Sequence, residues 1–207
     1  SHYSSLKQIN RSNASRLQVA WTYPTDDAVS YSFNPIVVGK VMYVLAHNFN
    51  VVALDAATGK EIWRLPTRDP KEPLTKGRGT WAVRYRGMNY WQSKDGKDKR
   101  LLLSAYDHLQ AIDASTGKFI TAFGKGGKVD LRTNLNRDPN SITQIMAGSP
   151  GRVFEDLIIL GSTTGEEYMS PPGDIRAYNV KTGELAWQFH TLPHPGEPGY
   201  ETWPKDA

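Results

Sequence analysis

Short apolar runs, broken by Gly, Asp and Asn, recur along the whole chain with a strand-like period and little helical periodicity. PIVVGKVMYVLA, from Pro35 to Ala46, reads as two β-strands on either side of Gly39-Lys40, a two-residue hairpin signal. VVALDA, from Val51, gives a third strand, and ATGK a turn in which Gly59 takes a positive φ. EIWRL, from Glu61 to Leu65, gives a fourth. The same order returns as RLLLSA, HLQAID, STGK and FITAF between Arg100 and Phe123, and as RVFEDLIILGS, DIRAYN, VKTGE and LAWQFH between Arg152 and His190. A short helix is expected only in SLKQINRSNASRL, with Ser12 or Asn13 as its cap.

Within these units one skeleton is written three times: ALDAATGKEIW from Ala53, AIDASTGKFIT from Ala111 and AYNVKTGELAW from Ala177. The copies are 58 residues apart (Ala53 to Ala111) and 66 residues apart (Ala111 to Ala177). Repeats of about 40–50 residues or longer, each of four short strands, predict an all-β fold of propeller blades, each a four-stranded antiparallel sheet. Ala permits close sheet packing, Asp favours the turn at the strand end, and Gly closes it. The Trp four residues after that Gly is a flat body able to wedge between neighbouring blades. Blade docking therefore accounts for the repeat without any catalysis.

Composition narrows the class. The 207 residues are 39% hydrophobic, 22% charged and 11% aromatic with six Trp, which is globular composition. The net charge is +4. The densest basic run, SKDGKDKR from Ser93, is interrupted by two Asp and reads as a solvated hairpin tip, so no nucleic-acid partner is expected. With no Cys, neither a disulfide framework nor a thiolate metal site is available. No apolar run approaches the roughly 18–20 residues of a membrane span. SHYSSLKQIN, at the N-terminus, lacks the apolar core of a signal peptide, so an exported protein would already have lost its leader.

The Ala-x-Asp-x-x-Thr-Gly-Lys-x-x-Trp skeleton resembles the tryptophan-docking motif of the pyrroloquinoline quinone (PQQ) dehydrogenases, the eight-bladed propellers of the methanol, alcohol and membrane-type glucose dehydrogenase group. YSSLKQINRSNASRLQVAWTY is similar to that family's N-terminal segment, RGMNYW (Arg86 to Trp91) to its cofactor-site segment, and PPGDIRAYNVKTGELAWQFHTLPHPGEPGYETW to its third repeat and the following linker. The resemblance implies a partial propeller of about three and a half blades. It places an N-terminal strand segment over 1–30, blades over 31–70, 78–124 and 142–192, and the start of another over 198–207. A ring of eight needs about 400 residues at about 40–50 per blade. The remainder of the propeller, or another copy of the chain, is then the expected partner.

The resemblance also implies chemistry: oxidation of an alcohol or a sugar such as glucose, by hydride transfer to PQQ held by Ca²⁺, in a periplasmic or secreted bacterial enzyme. Aligning Gly161-Ser162-Thr163-Thr164-Gly165-Glu166 with the family's Gly-Ser-Ser-Gly-Ala-Glu puts Glu166 on the metal-ligand position and Thr163 and Thr164 on cofactor-contacting positions. Glu167 is the alternative if the register slips by one, and a solvent-exposed acidic loop is the reading without a metal. Arg86 matches the arginine that reaches the quinone; a guanidinium can donate two parallel hydrogen bonds to a carboxylate-rich, carbonyl-rich cofactor.

Two departures stand out. Ser32 occupies the position of a family glutamate that contacts the cofactor, and Thr80 and Trp81 stand where the methanol and alcohol enzymes have adjacent cysteines. Trp81 can cover a planar cofactor by stacking, or dock a blade. These changes favour a glucose-type or divergent member over a methanol-type one. They also leave room for a non-catalytic propeller acting as a binding or assembly scaffold. The family's catalytic base lies in a later blade, so no residue of this chain inherits that role. Asp107-His108 is discounted as an acid/base pair because adjacent strand residues point to opposite faces, and the two are expected at a strand start. His190 and His194 flank TLPHP in an irregular segment and are not taken as metal ligands, and FGKGGK (Phe123 to Lys128) lacks the order of a phosphate loop and reads as a turn-rich linker.

Overall fold

The computed structural model describes residues 5–28, 30–67, 87–142, 145–165, 167 and 170–204. Three four-stranded antiparallel sheets follow one another along the chain. The first contains β1 (Ile36–Val38), β2 (Val41–Ala46), β3 (Asn50–Asp55) and β4 (Glu61–Leu65), paired in that order. The second contains β5 (Asn89–Gln92), β6 (Lys99–Ala105), β7 (His108–Asp113) and β8 (Lys128–Asp130). A two-stranded ribbon joins β9 (Ile145–Met146) to β12 (Thr163–Thr164), and the third sheet runs β10 (Arg152–Phe154), β11 (Leu157–Leu160), β13 (Ile175–Asn179) and β14 (Leu185–Phe189). Gly39 has φ 59° at the β1–β2 hairpin, and Ser93–Asp98 forms the tip expected between β5 and β6.

Strand alternation explains how the sheets stack. In β6, Leu101, Leu103 and Ala105 pack against Tyr43, Leu45, Val51 and Ala53 of the first sheet, while Leu102 packs with Ile158, Leu160 and Tyr178 of the third. RLLLSA is thus apolar on both faces because both faces are covered. Burying each such Leu contributes about 1.5–3 kcal/mol. On the far side of the first sheet, Val52 and Leu54 pack against Trp21 and Tyr23.

The repeated skeleton builds one turn three times. Asp55 Oδ1 accepts from the backbone N–H of Ala57 (3.1 Å) and Thr58 (2.8 Å). Asp113 does the same for Ser115 (2.8 Å) and Thr116 (2.9 Å), and Asn179 for Lys181 (2.8 Å) and Thr182 (3.1 Å). Gly59, Gly117 and Gly183 each close the turn with a 2.8 Å bond back to the Asp or Asn carbonyl. Each has a positive φ, 71°, 69° and 78° respectively.

On two of these turns a tryptophan sits flat. A β-carbon on Gly117 would lie 2.5 Å from the Trp63 ring, and one on Gly59 would lie 2.5 Å from that of Trp21. The indole N–H of Trp63 donates to Ala114 O (3.2 Å), and that of Trp21 to Ala56 O (3.3 Å). Trp21 lies in an extended stretch outside the sheets, so LQVAWTY supplies a docking tryptophan before the first complete skeleton. Trp187, on β14, is 41% exposed and has no such seat among the described residues.

The second unit departs from expectation. FITAF is not its outer strand: Phe119 makes only an isolated bridge to Ile112, the chain turns through Gly124–Gly127, and β8 takes the outer place. The cause is Thr121, which stands where Trp63 stands in the first copy. With no indole to seat, Gly124 itself approaches the third turn, its N–H donating to Thr182 O (2.8 Å). Arg100, held by Asp98 (2.6 Å), donates to the carbonyls of Val180 (2.9 Å) and Lys181 (2.8 Å) and replaces the missing indole N–H. FGKGGK is therefore a docking element between sheets rather than a linker. The expected N-terminal helix is a single 3-10 turn, Ala14–Arg16, and Asn13 makes no side-chain cap bond there.

Two outcomes follow. Gly117→Ala carries the left-handed backbone cost, about 1–2 kcal/mol, plus displacement of the Trp63 ring, about 1–3 kcal/mol. Gly39→Ala, with nothing within 4 Å of the added methyl, carries the backbone cost alone. Urea midpoints should fall further for Gly117→Ala, and equal losses would contradict the seat. Separately, the hydroxyls of Tyr23, Tyr31 and Tyr43 are each pushed up to about 12, first by burial. Hydrogen bonds to Glu61 and Asp27 add to this at Tyr23 and Tyr31 respectively. These protons are held more tightly folded than unfolded, so the stabilisation is complete below about pH 10 and lost as pH rises through about 12. Urea midpoints measured from pH 9 upward should decline across that window; a flat profile would contradict it.

Candidate functional site

The innermost strands β1, β5 and β10 all begin at one end of their sheets, and a cavity of about 580 Å³ opens there. Asn34, Pro35 and Ile36 come from the first sheet, Gly87, Met88 and Asn89 from the second, and the Ser149–Arg152 stretch from the third. Ile159 and Gly161 complete the lining. Its volume falls within the range of small-molecule sites, about 300–1,000 Å³. The lining combines flat backbone at Gly and Pro, apolar Met and Ile, and a few amides with one cation.

Cross-sheet bonds fix the walls. Asn89 Nδ2 donates to Pro150 O (2.5 Å), joining the second sheet to the third at the rim. Trp91 Nε1 donates to Glu155 O (3.0 Å) further down the same pair. Asp174, 1% exposed, accepts from Gln188 Nε2 (2.6 Å) and from the Thr191 N–H (3.0 Å), while its backbone carbonyl accepts from Ser162 Oγ (2.9 Å). That last bond holds the chain as it leaves Gly161.

Thr163 and Thr164 follow on β12, opposite Met146 and Ile145. A β-carbon on Gly148 would lie 2.2 Å from Thr163 Oγ1, so Thr163 covers the residue next to the cavity-lining Ser149. Thr163 is exposed and Thr164 half-buried, its hydroxyl directed to Gly165 O (3.4 Å). Trp81, Arg86 and Glu166 lie outside the described residues, as does Thr80. Ser32 is exposed, two residues before the lining Asn34.

A polar cluster occupies the same end of the second and third sheets. His108 Nδ1 and Asp107 Oδ1 are 2.7 Å apart, although adjacent strand residues were expected to diverge. Tyr106, with φ 58°, and Asp107 form the β6–β7 turn, so the pair sits where alternation has not yet begun. Arg132 grips Asp130 with two nitrogens (2.9 and 2.6 Å) and lies 3.4 Å from Asp107. Burial pushes the Asp130 carboxyl up, but hydrogen bonds from Arg132 outweigh it and hold the group below its ordinary value. Arg176, 2% exposed, donates to Thr133 O (3.1 Å), and burial works against its charge. These groups are committed to one another and to the fold.

The sequence pattern did not single out Gly161 or Arg152 for the cavity itself. A β-carbon on Gly161 meets nothing within 4 Å, so that wall faces open space. Arg152 is an exposed cation on the lining. The available signal was position: each lies at an end of an inner strand pair, beside a predicted strand boundary.

The chain matches, over residues 1–207, the family model described as PQQ glucose/ethanol/alcohol dehydrogenase, β-propeller domain. It is similar to quinoprotein glucose dehydrogenase A of Acinetobacter calcoaceticus, 32% identical over 217 residues that cover 91% of this chain and 26% of that protein. It is also similar to quinohemoprotein alcohol dehydrogenase ADH IIB of Pseudomonas putida, 35% identical with 95% of this chain and 25% of that protein covered. Among solved structures, quinohemoprotein alcohol dehydrogenase from Comamonas testosteroni superposes with a TM-score of 0.70 at 30% identity, covering 95% of this chain and 26% of that one. A europium-containing methanol dehydrogenase gives 0.65 at 25% identity, covering 92% and 30%. The chain thus spans about a quarter of the length of its curated relatives. The tryptophan-seated four-stranded sheets, arranged around a cavity at their inner ends, belong to the β-propeller domain of the PQQ-dependent glucose, ethanol and alcohol dehydrogenases, and this chain is a member of that family.

Proposed function

We propose that the cavity at the inner strand ends is the PQQ site of a dehydrogenase that oxidises an alcohol or a sugar such as glucose. The observation that carries the reading is the cavity itself, with open space in front of Gly161 and an exposed Arg152 on its lining. A planar, carboxylate-rich ligand suits flat Gly and Pro walls, amides at the rim and a nearby guanidinium. When bound, PQQ supplies a quinone that accepts hydride, and Ca²⁺ polarises its carbonyl as a Lewis acid.

In this reading Arg86, which directly precedes the lining Gly87 in sequence, donates paired hydrogen bonds to the cofactor. Thr163 and Thr164 contact its edge, Trp81 covers its face, and Glu166 supplies a hard anionic oxygen to Ca²⁺. Because one structural neighbour is a europium-containing enzyme, a lanthanide is the second metal to be tried at Glu166. No residue of this chain is assigned as the catalytic base. The rest of the propeller supplies it, and the enzyme works in the periplasm or outside the cell. Among the described residues no helix is long and apolar enough to cross a membrane.

PQQ titration of the full-length protein, followed by tryptophan fluorescence with and without Ca²⁺ or Eu³⁺, tests the assignment. Gly161→Leu fills open space at an ordinary backbone angle, so it should leave the urea midpoint unchanged and weaken PQQ by more than about tenfold, or 1.4 kcal/mol. Glu166→Gln should abolish the metal dependence, whereas Glu167→Gln should not. Arg86→Lys, which keeps the charge but loses the fork, should also weaken binding. Wild-type affinity in both Gly161→Leu and Glu166→Gln would remove the cofactor site and favour a non-catalytic binding propeller.

A further inference from the structure

The segment leaving β14 carries a cluster that the cofactor site does not use. In HTLPHPGE, from His190 to Glu197, Pro193 and Pro195 fix φ on either side of His194, and Gly196 turns the chain at φ 88°. The loop closes through Glu197 N–H donating to His194 O (2.9 Å) and His194 N–H donating to Glu197 Oε2 (2.7 Å). His190 and His194 stand four apart, as a helical ligand pair does, but in an irregular segment, and the loop itself brings them together with Glu197. The two imidazoles stack with centroids 3.8 Å apart at 19°, and His190 Nδ1 lies 2.8 Å from Glu197 Oε1. One ligand atom from each of His190, His194 and Glu197 lies within 4.8 Å of the other two.

We infer that His190, His194 and Glu197 form a binding site for a borderline divalent transition-metal ion of the Zn²⁺ class. Two imidazoles and one carboxylate suit Zn²⁺, Cu²⁺ or Ni²⁺, whereas Ca²⁺ and Mg²⁺ take oxygen ligands. The 2.8 Å His190–Glu197 contact need open by only about 0.5 Å to reach the roughly 3.3–3.6 Å between neighbouring tetrahedral ligands that each bind a cation at about 2.0–2.2 Å. Turning the stacked His194 ring toward the same point supplies the third ligand, and water completes the shell.

The surroundings favour a cation here. One Glu197 carboxylate oxygen accepts from the His194 N–H and the other lies against His190 Nδ1, so the carboxylate is held in place beside both rings. Thr191 anchors one end of the loop to the buried Asp174 (3.0 Å), and Tyr200 N–H donating to Glu197 O (3.1 Å) holds the other. In a chain without cysteine, such a site would act as a cross-link on the segment following the third sheet. It is separate from the proposed cofactor position, which draws on β1, β5 and β10.

Chelator-stripped full-length protein, titrated with Zn²⁺ by calorimetry near neutral pH, should bind in a step that His190→Ala and His194→Ala each weaken by more than about tenfold. Glu197→Gln keeps an oxygen acceptor for the His194 N–H and should also weaken it, while His2→Ala should not. Binding should weaken on acidification, because protons compete with the metal for its ligands. Co²⁺ should give a visible ligand-field spectrum that is lost in both His variants. No Zn²⁺ binding, or binding unchanged in His194→Ala and Glu197→Gln with circular dichroism matching wild type, would overturn the site. Displacement by equimolar Ca²⁺ would do the same.

Discussion

Everything in this structure rests on a turn whose backbone is flat enough to be stacked upon. An Asp or Asn side chain holds two N–H groups of its own turn, and a glycine at positive φ closes it without a β-carbon. The bare surface takes an indole ring from the preceding outer segment, and the indole N–H reaches the carbonyl beside the turn. Each seat sets the spacing between consecutive sheets. A β-carbon there collides with the ring, so the glycine is required twice over, for backbone angle and for contact.

Regular docking at the outer edge places the inner edges side by side. Strands β1, β5 and β10 begin at the same end, and their first residues enclose one cavity instead of three separate grooves. Apolar faces on both sides of β6 lock the middle sheet between its neighbours, and Asn89 and Trp91 extend the lock to the third sheet with hydrogen bonds. Where the tryptophan is missing, at Thr121, a close Gly124–Thr182 approach and the Arg100 guanidinium take over. The docking geometry therefore survives a change in the residues that produce it.

The strands of the first unit were legible because hairpin glycines and apolar alternation agree there: Gly39-Lys40 and VVALDA lie where local chemistry alone would put them. FITAF was misread because the skeleton repeats while its tryptophan does not, and only tertiary contact decides what Phe119–Phe123 do. The docking tryptophan that precedes the first skeleton, Trp21, was hidden because its turn partner is supplied by the next unit. At the site, Thr163 and Thr164 were reachable through family resemblance. Gly161 and Arg152 needed the cavity to be seen, since nothing local marks an open wall. His190, His194 and Glu197 converge through prolines and a Gly turn, so the four-residue spacing of the histidines, outside any helix, did not by itself mark a site.

Outer-edge docking places the inner strand ends around one cavity, the site proposed for PQQ. That assignment is tested most directly by an experimental density map of the full-length protein with PQQ and Ca²⁺ added. The account predicts planar density among Asn34, Met88, Pro150 and Gly161, with Arg152 facing a carboxylate. Saturating PQQ that leaves this cavity filled only by solvent, or density seated elsewhere on the sheets, would contradict it.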